Sequence, residues 1–523
     1  MAAISHSPRS HRPVLIVCAV AAAYVVTRIA LTWRFPWFVD ETIFASFAKE
    51  VHGDVIGQFF VAQNDQKGLL PSWMGAGLIA LGIEPVTAMR LLSAAGAAVA
   101  AACGGLVVRR LYGGREGLAT AALIALGPYF LVTASVGIYD AMVTGLVTVG
   151  VLLSILIARR PRFATALLLA GVLGAGGLTK PTAWASAAVL PFTLLLFDFR
   201  SPDLRQRLLR WGGLSAMAVA LGYAIASIAR LTPLYDAPAP PLCAPGTQLP
   251  APCSQAQRDL GQIVDHAGDV ATNVIWIAAE LIGYLTLPGV ALAVVGAIVA
   301  WRRRRAAAAI LGFWAIAVLI SVALFSMTAN PRYFATAIVP LTGFVAIGGL
   351  AVWDALLRRW SGRPRLARGL ACALALAALV PAASFETSVL AHPAHAPYPG
   401  FDEQQYVTGH GALSPLTALA REIERRGGPY PVRIDAGPYP RKVYSDIGPW
   451  GLDLLLNGAT VGARRRFDVI ARGTSAQRAA ARYLVSDGER GDAPPQPGYR
   501  LILRIQRPER GAVLRLYERP AAR

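Results

Sequence analysis

The chain has 523 residues, of which 55% are apolar and 15% charged, and a mean hydropathy of +0.48. That hydropathy excludes a soluble domain, because apolar runs of about 20 residues recur from Val14 to Ala383 and read as transmembrane helices. The net charge of +20 does not indicate nucleic acid. Arg109/Arg110/Arg115, Arg159/Arg160/Arg162, Arg200/Arg205/Arg207/Arg210, Arg302 to Arg305 and Arg358 to Arg368 all fill short gaps between apolar runs. Such clusters mark cytoplasmic loops by the positive-inside rule, and the head groups of membrane lipids suffice as their partners.

The first apolar run follows Arg9, His11 and Arg12, and it passes a small-residue stretch at Ala21-Ala22-Ala23 that resembles a signal cleavage site. An uncleaved first span is favoured, because apolar character continues to Leu31 and many further spans follow. With basic ends taken as inside, eleven spans are predicted, at about 14–33, 84–108, 117–135, 137–158, 163–179, 181–198, 211–231, 272–300, 306–326, 333–356 and 367–384. The odd number puts the N-terminus in the cytoplasm and everything after Phe385 outside, and the expected location is the inner membrane of a bacterial cell.

The first outer loop, 34–83, is dense in charge, with Asp40, Glu41, Lys49, Glu50, Asp54, Asp65 and Lys67. Its segment 40–51 places Ile43, Phe44, Phe47, Ala48 and Val51 at helical spacing, which predicts an amphipathic helix lying in the interface plane. Residues 68–83 are apolar but too short to cross, which predicts a re-entrant or interfacial element.

Lysine occurs only at positions 49, 67, 180 and 442, although Lys and Arg together number 50. Lys180 interrupts an apolar run over 163–198, where Gly176, Gly177 and Pro181 provide a break. A charge inside such a run is costly and is a functional candidate; the plainer reading is a side chain snorkelling to head groups. Asp140 occupies the matching outer turn, and its expected cationic partner is Arg90, as part of a site or of a structural ion pair. Asn330-Pro331-Arg332-Tyr333 fills another short outer turn, where Arg332 suits a phosphate or, with Tyr333, an interfacial anchor.

Cys18, Cys103 and Cys372 lie in apolar spans, whereas Cys243 and Cys253 share a Pro-rich outer loop in which a disulfide is plausible. No Cys or His spacing matches a metal site. From Glu386 the composition changes: strands are predicted at 432–435, 467–471, 482–485 and 500–505, and helices from Ser414-Pro415 to Arg426 and from Thr474. The expected organisation is therefore a polytopic α-helical membrane domain over 1–385 and an extracytoplasmic α/β domain over 386–523.

Carboxylates at 40 and 41 suit a general base or hydroxyl recognition, and cations at 67, 180 and 332 suit an anionic leaving group such as a lipid phosphate. Together they point to group transfer at the outer face. In this setting, Asp40-Glu41 after the first span, Lys67, Arg90-Leu-Leu-Ser93, Tyr139-Asp140-Ala-Met142, Leu178-Thr179-Lys180-Pro181 and Arg332-Tyr333 resemble the GT-C fold glycosyltransferases that use polyprenyl-phosphate sugars. The likeness is greatest to bacterial protein O-mannosyltransferases and lipid A aminoarabinose transferases, and it covers about residues 14–345.

The resemblance implies a polyprenyl-phosphate sugar donor and an acceptor hydroxyl on a protein, lipid or glycan, with no nucleotide and no obligatory metal cofactor. It makes Asp40 the catalytic base of an inverting displacement. Lys67, Lys180 and Arg332, with Tyr333, become candidates to hold the phosphate, and Glu41, Arg90 and Asp140 to orient these groups or the sugar. Two departures stand out: Thr42-Ile43-Phe44 follows the acidic pair where many relatives have Arg-Tyr, and Gln66-Lys67-Gly68-Leu69 replaces Glu-Lys-Pro-Pro. A transporter or lipid flippase, or a glycan polymerase or ligase of the same fold, are the alternative functions.

Overall fold

The computed structural model describes residues 35–62, 68–231, 269–326, 330–408, 414–427, 431–436, 448–460, 466–470, 480–488, 497–506 and 513–519. The predicted first span, Lys67, the loop holding Cys243 and Cys253, and the helix predicted from Thr474 lie outside these residues.

In chain order the principal helices begin with α1 (Val39–Gly53), α2 (Leu69–Ala80), α3 (Pro85–Leu111), α4 (Gly114–Leu126), α5 (Pro128–Thr133), α6 (Tyr139–Arg159) and α7 (Phe163–Thr179). There follow α8 (Leu204–Ala226), α9 (Asp269–Arg303), α10 (Arg305–Phe325), α11 (Ala335–Arg359), α12 (Pro364–Ala391), α13 (Ser414–Arg426) and α14 (Gly448–Asn457). The strands are β1 (Val432–Asp435), β2 (Phe467–Ile470), β3 (Tyr483–Gly488), β4 (Arg500–Gln506) and β5 (Val513–Glu518).

These elements form two compact units. The first is built from Ser93–Ala134 and Tyr139–Thr387; the second gathers the described parts of Leu31–Leu92, Ser135–Ile138 and Ser388–Arg523. The change of unit at 387/388 falls beside the compositional change at Glu386. The first outer loop, expected with the membrane domain, packs with the C-terminal unit instead.

Among the described residues seven helices are long and apolar enough to cross a membrane: α3, α6, α8, α9, α10, α11 and α12. The protein is a multi-pass membrane protein. Three of the eleven predicted spans take shorter forms. The span predicted over 117–135 divides into α4 and α5 at Gly127-Pro128, where proline lacks the N–H that would continue the helix. The 163–198 run gives the 17-residue α7, followed by a series of 3-10 and short α turns from Pro181 to Leu196. The long helix α9 holds Thr286 at φ 63°, a left-handed conformation at a β-branched residue, two positions before Pro288.

Helix ends in the first unit sort by chemistry. Arg115 pairs with Asp354 at 2.8 Å and Arg303 with Glu116 at 3.3 Å, while Arg304 donates to the Leu111 carbonyl at 2.8 Å and Arg159 to the Arg110 carbonyl. These bonds bring arginine-rich ends of α3, α4, α6, α9 and α11 to one side. The other end of α6 begins at Tyr139-Asp140. There α3 and α6 touch backbone to backbone. A Cβ on Gly96 would lie 2.5 Å from the Met142 Cα, and one on Gly145 2.5 Å from the Gly96 carbonyl oxygen. Small residues at such crossings let membrane helices approach closely.

In the second unit α1 packs on α2 and on α14. Ten of the fifteen residues of α1 are buried, among them Glu41, Phe44, Phe47 and Lys49, so the helix is enclosed on more than one face rather than laid with one face in lipid. A mixed five-stranded sheet has the order β2-β1-β3-β5-β4, with β1 parallel to β2 and β3, and β5 antiparallel to β3 and β4. The sequence predicted four of these strands and α13; β5 and α14 are additions.

Gly145→Val is expected to lower the thermal midpoint of the detergent-solubilised protein, because overpacking of this kind costs about 1–3 kcal/mol. Gly312→Val, where a Cβ meets nothing within 4 Å, is the matched control and should leave the midpoint within a degree or two of wild type, since valine exceeds glycine in helix propensity by only a few tenths of a kcal/mol.

Candidate active site

The acidic pair sits in the first turn of α1, with Phe38 as N-cap, Asp40 second and Glu41 third in the helix. The N-terminal end of a helix carries partial positive charge and unpaired N–H groups, so carboxylates are favoured there. Successive residues on a helix point about 100° apart, and the two carboxylates have different surroundings. Glu41 is fully buried, whereas Asp40 is half-buried.

Glu41 is saturated with donors. Its Oε1 accepts from the Phe38 backbone N–H at 2.8 Å and from Arg90 Nη2; its Oε2 accepts from Arg90 Nε at 2.8 Å and from the Gly137 N–H at 2.8 Å. Arg90 is 2% exposed, and it also donates to the Phe35 and Pro36 carbonyls at 3.1 and 2.9 Å. The paired fork is the strongest geometry available to guanidinium and carboxylate. It ties three chain segments to one carboxyl: the entry to α1, the start of α3 and the turn before α6. Gly137 fits because a Cβ there would lie 2.7 Å from the Met89 Cβ.

Arg90 was the expected partner of Asp140. The structure corrects this: Lys180 Nζ binds Asp140 Oδ1 at 2.7 Å, and the Arg90 fork belongs to Glu41. The reason is local. Lys180 ends α7 with φ −165° and ψ 136°, the extended conformation that a following proline imposes, and this carries its side chain beyond the helix. Glu41 and Arg90 are buried, and their fork supports the start of the helix that carries Asp40.

Lys180 also lies 4.8 Å from the centre of the Tyr333 ring, and the Arg332 guanidinium lies 5.4 Å from the same ring. Both distances are within cation–π range. The turn holding them is fixed by Asn330, whose side chain accepts from the Arg332 N–H at 3.3 Å, and by Tyr129, whose hydroxyl donates to the Pro331 carbonyl at 2.7 Å. One carboxylate and two cations thus gather on a tyrosine ring in the first unit. The Lys180 side chain keeps 29% of its surface exposed, so its remaining ammonium donors can meet an anion.

The structure therefore brings together Glu41 with Arg90 in the second unit, and Asp140, Lys180, Arg332 and Tyr333 in the first. Lys67 lies outside the described residues. Sequence reasoning missed the Gly137 N–H and the cap at Asn330. Asn before Pro is a turn signal that pointed to the second; nothing in the local sequence marks the first.

The crystal structure of ArnT from Cupriavidus metallidurans in the apo state matches with a TM-score of 0.54 at 13% identity, covering 95% of this chain and 97% of that one. The apo oligosaccharyltransferase of Archaeoglobus fulgidus matches with a TM-score of 0.52 at 14% identity, covering 92% and 70%. These likenesses show the fold, GT-C. The sequence profile described as dolichyl-phosphate-mannose-protein mannosyltransferase matches residues 66–227. No protein of curated function matches the sequence. The fold is the one that the resemblance of its motifs implied, and the profile match falls on the segment that carries several of those motifs.

Arg90→Ala would leave Glu41 as a buried carboxylate without its fork, at a cost of about 3–5 kcal/mol. The expected outcome is a lower thermal midpoint and a loss of folded yield in detergent. Arg90→Lys should recover only part of both, since an ammonium cannot reproduce the two parallel bonds.

Proposed function

We propose that the protein transfers a sugar from a polyprenyl-phosphate carrier to an acceptor hydroxyl on the outer face of a bacterial inner membrane. The contrast within the acidic pair carries this reading: Glu41 is fully buried, and Asp40 beside it is half-buried on a helix start that Glu41 holds in place. The profile match to a family described by dolichyl-phosphate mannose supports the carrier class.

In the proposed step Asp40 takes the proton of the acceptor hydroxyl. The oxygen attacks the anomeric carbon from the face opposite the phosphate, the carbon–oxygen bond to phosphate breaks, and the electron pair leaves with the polyprenyl phosphate. The configuration inverts and the proton resides on Asp40. Lys180 and Arg332 stabilise the phosphate as its negative charge grows, and Lys67 is a further candidate for this role. Asp140 holds Lys180 in position through its 2.7 Å bond. Tyr333 orders both cations.

Asp40→Asn should lower the transfer rate by about 10²–10⁴-fold, the usual worth of a positioned base, with unchanged thermal midpoint and membrane insertion. Transfer of labelled sugar from a polyprenyl-phosphate monosaccharide to acceptor measures this, and full activity in the variant would remove the proposed base. Lys180→Ala should weaken binding of polyprenyl phosphate by at least tenfold, as loss of one charge-assisted bond of about 1.5–3 kcal/mol predicts. Titration of the purified variant with undecaprenyl phosphate reads this out, and an unchanged affinity would remove Lys180 from the phosphate site.

A further inference from the structure

Lys49 is among the buried charges of the second unit that the proposed chemistry leaves unused. Lys49, in α1, is 1% exposed, and its Nζ donates to Asp453 Oδ2 at 2.8 Å. Asp453 belongs to α14 of the C-terminal unit, 404 positions away in the chain. Its other oxygen, Oδ1, accepts from Asn457 Nδ2 at 2.8 Å. Asn457 in turn binds β2, donating to the Phe467 carbonyl at 2.8 Å and accepting from the Phe467 N–H at 3.1 Å. A continuous line of hydrogen bonds therefore runs from the sheet, through α14, to an ammonium on the helix that carries Asp40.

The other end of α1 is gripped by the same C-terminal segment. Phe38, the N-cap, meets the edge of Tyr406 at 5.0 Å between ring centres, and Phe35 lies 6.2 Å from Tyr398 and 6.3 Å from Tyr406. Lys49 is nine residues from Asp40, about 13 Å along the helix axis. With contacts at both ends, tilt and axial rotation of α1 are fixed by residues of the C-terminal unit.

We infer that the C-terminal domain serves as a clamp for α1, and that Lys49 and Asp453 are positioning residues that set the placement of Asp40; this rests on the reading of Asp40 as the base. A buried ammonium that loses its carboxylate is strongly unfavourable, so α1 must shift to bring Lys49 to water. A displacement of about 1 Å at a reacting group costs about 10²-fold in rate. Replacing both charges by apolar side chains of similar volume removes the penalty and restores the seat of the helix.

The test uses the full chain reconstituted in bilayers, as Asp453→Ala, as Lys49→Met with Asp453→Leu, and as Asp40→Asn. Hydrogen exchange is followed over Val39–Gly53 and over β3 and β5. The expected result for Asp453→Ala is faster exchange confined to α1, by tenfold or more, with native rates in the strands and in the double variant. With polyprenyl-phosphate mannose as the probe donor, kcat should fall about 100-fold in Asp453→Ala with KM nearly unchanged, and recover in the double variant. Unchanged α1 exchange, equal loss of protection across α1 and the sheet, or opened α1 with native kcat would each overturn the inference. Full activity in Asp40→Asn, with α1 still opening in Asp453→Ala, would instead overturn the reading of Asp40 and leave the clamp in place. If the probe donor is not turned over by the native protein, the exchange arm alone decides the clamp.

Discussion

The Glu41 carboxylate is the constraint on which the placement of Asp40 depends. Four donors converge on it from the entry to α1, from α3 and from the turn before α6. A carboxylate removed from water needs this degree of compensation, because desolvation of each ion costs several kcal/mol and only close, well-aligned donors offset it. The same requirement applies to two further buried charges, Lys49 and Asp140. Lys49 has Asp453, Asp140 has Lys180, and each pair joins segments that are remote in sequence. Burial of charge here acts less as a source of stability than as a demand for one arrangement of the chain.

That demand also separates two residues that look equivalent. Asp40 and Glu41 are neighbours of the same charge, yet the rotation of a helix sends one inward and leaves the other half-exposed. Consequently Asp40 rests on a helix start that its neighbour holds in place. Lys180 shows a parallel economy. Proline at 181 ends α7 and sets the lysine backbone in an extended form, so one residue type fixes both the end of the helix and the direction of the cation.

How much of this was legible in the sequence depends on the range of the interaction concerned. The helix at 40–51, the break before Pro181 and the turn at Asn330-Pro331 follow from local rules, and each is present. Gly127-Pro128 carried an equally local signal, and the predicted span over 117–135 passed over it. The pairing of charges was not legible, because Arg90 could serve Asp140 or Glu41 and only the packed chain decides. In the C-terminal domain β5 was missed: its burial runs two in, one half-out, so it lacks the strict alternation that marks a strand. Helix α14 was missed because Gly448, Pro449 and Gly451 crowd its start and suggest a loop. Lys49 drew notice only as part of a charged loop, and its use became visible with α14.

The second unit has a consequence for biosynthesis. Its two main pieces, Leu31–Leu92 and Ser388–Arg523, lie at opposite ends of the reading frame, with the spanning helices between them. At roughly 5–20 residues per second, the 404 positions from Lys49 to Asp453 take on the order of 20–80 s to synthesise. For that interval the segment holding Phe35, Phe38 and Lys49 has crossed or met the bilayer while its aromatic and acidic partners do not yet exist. The growing chain must therefore keep an unfinished half-core next to lipid until its last quarter arrives, which makes the first loop the stretch most in need of protection during membrane insertion.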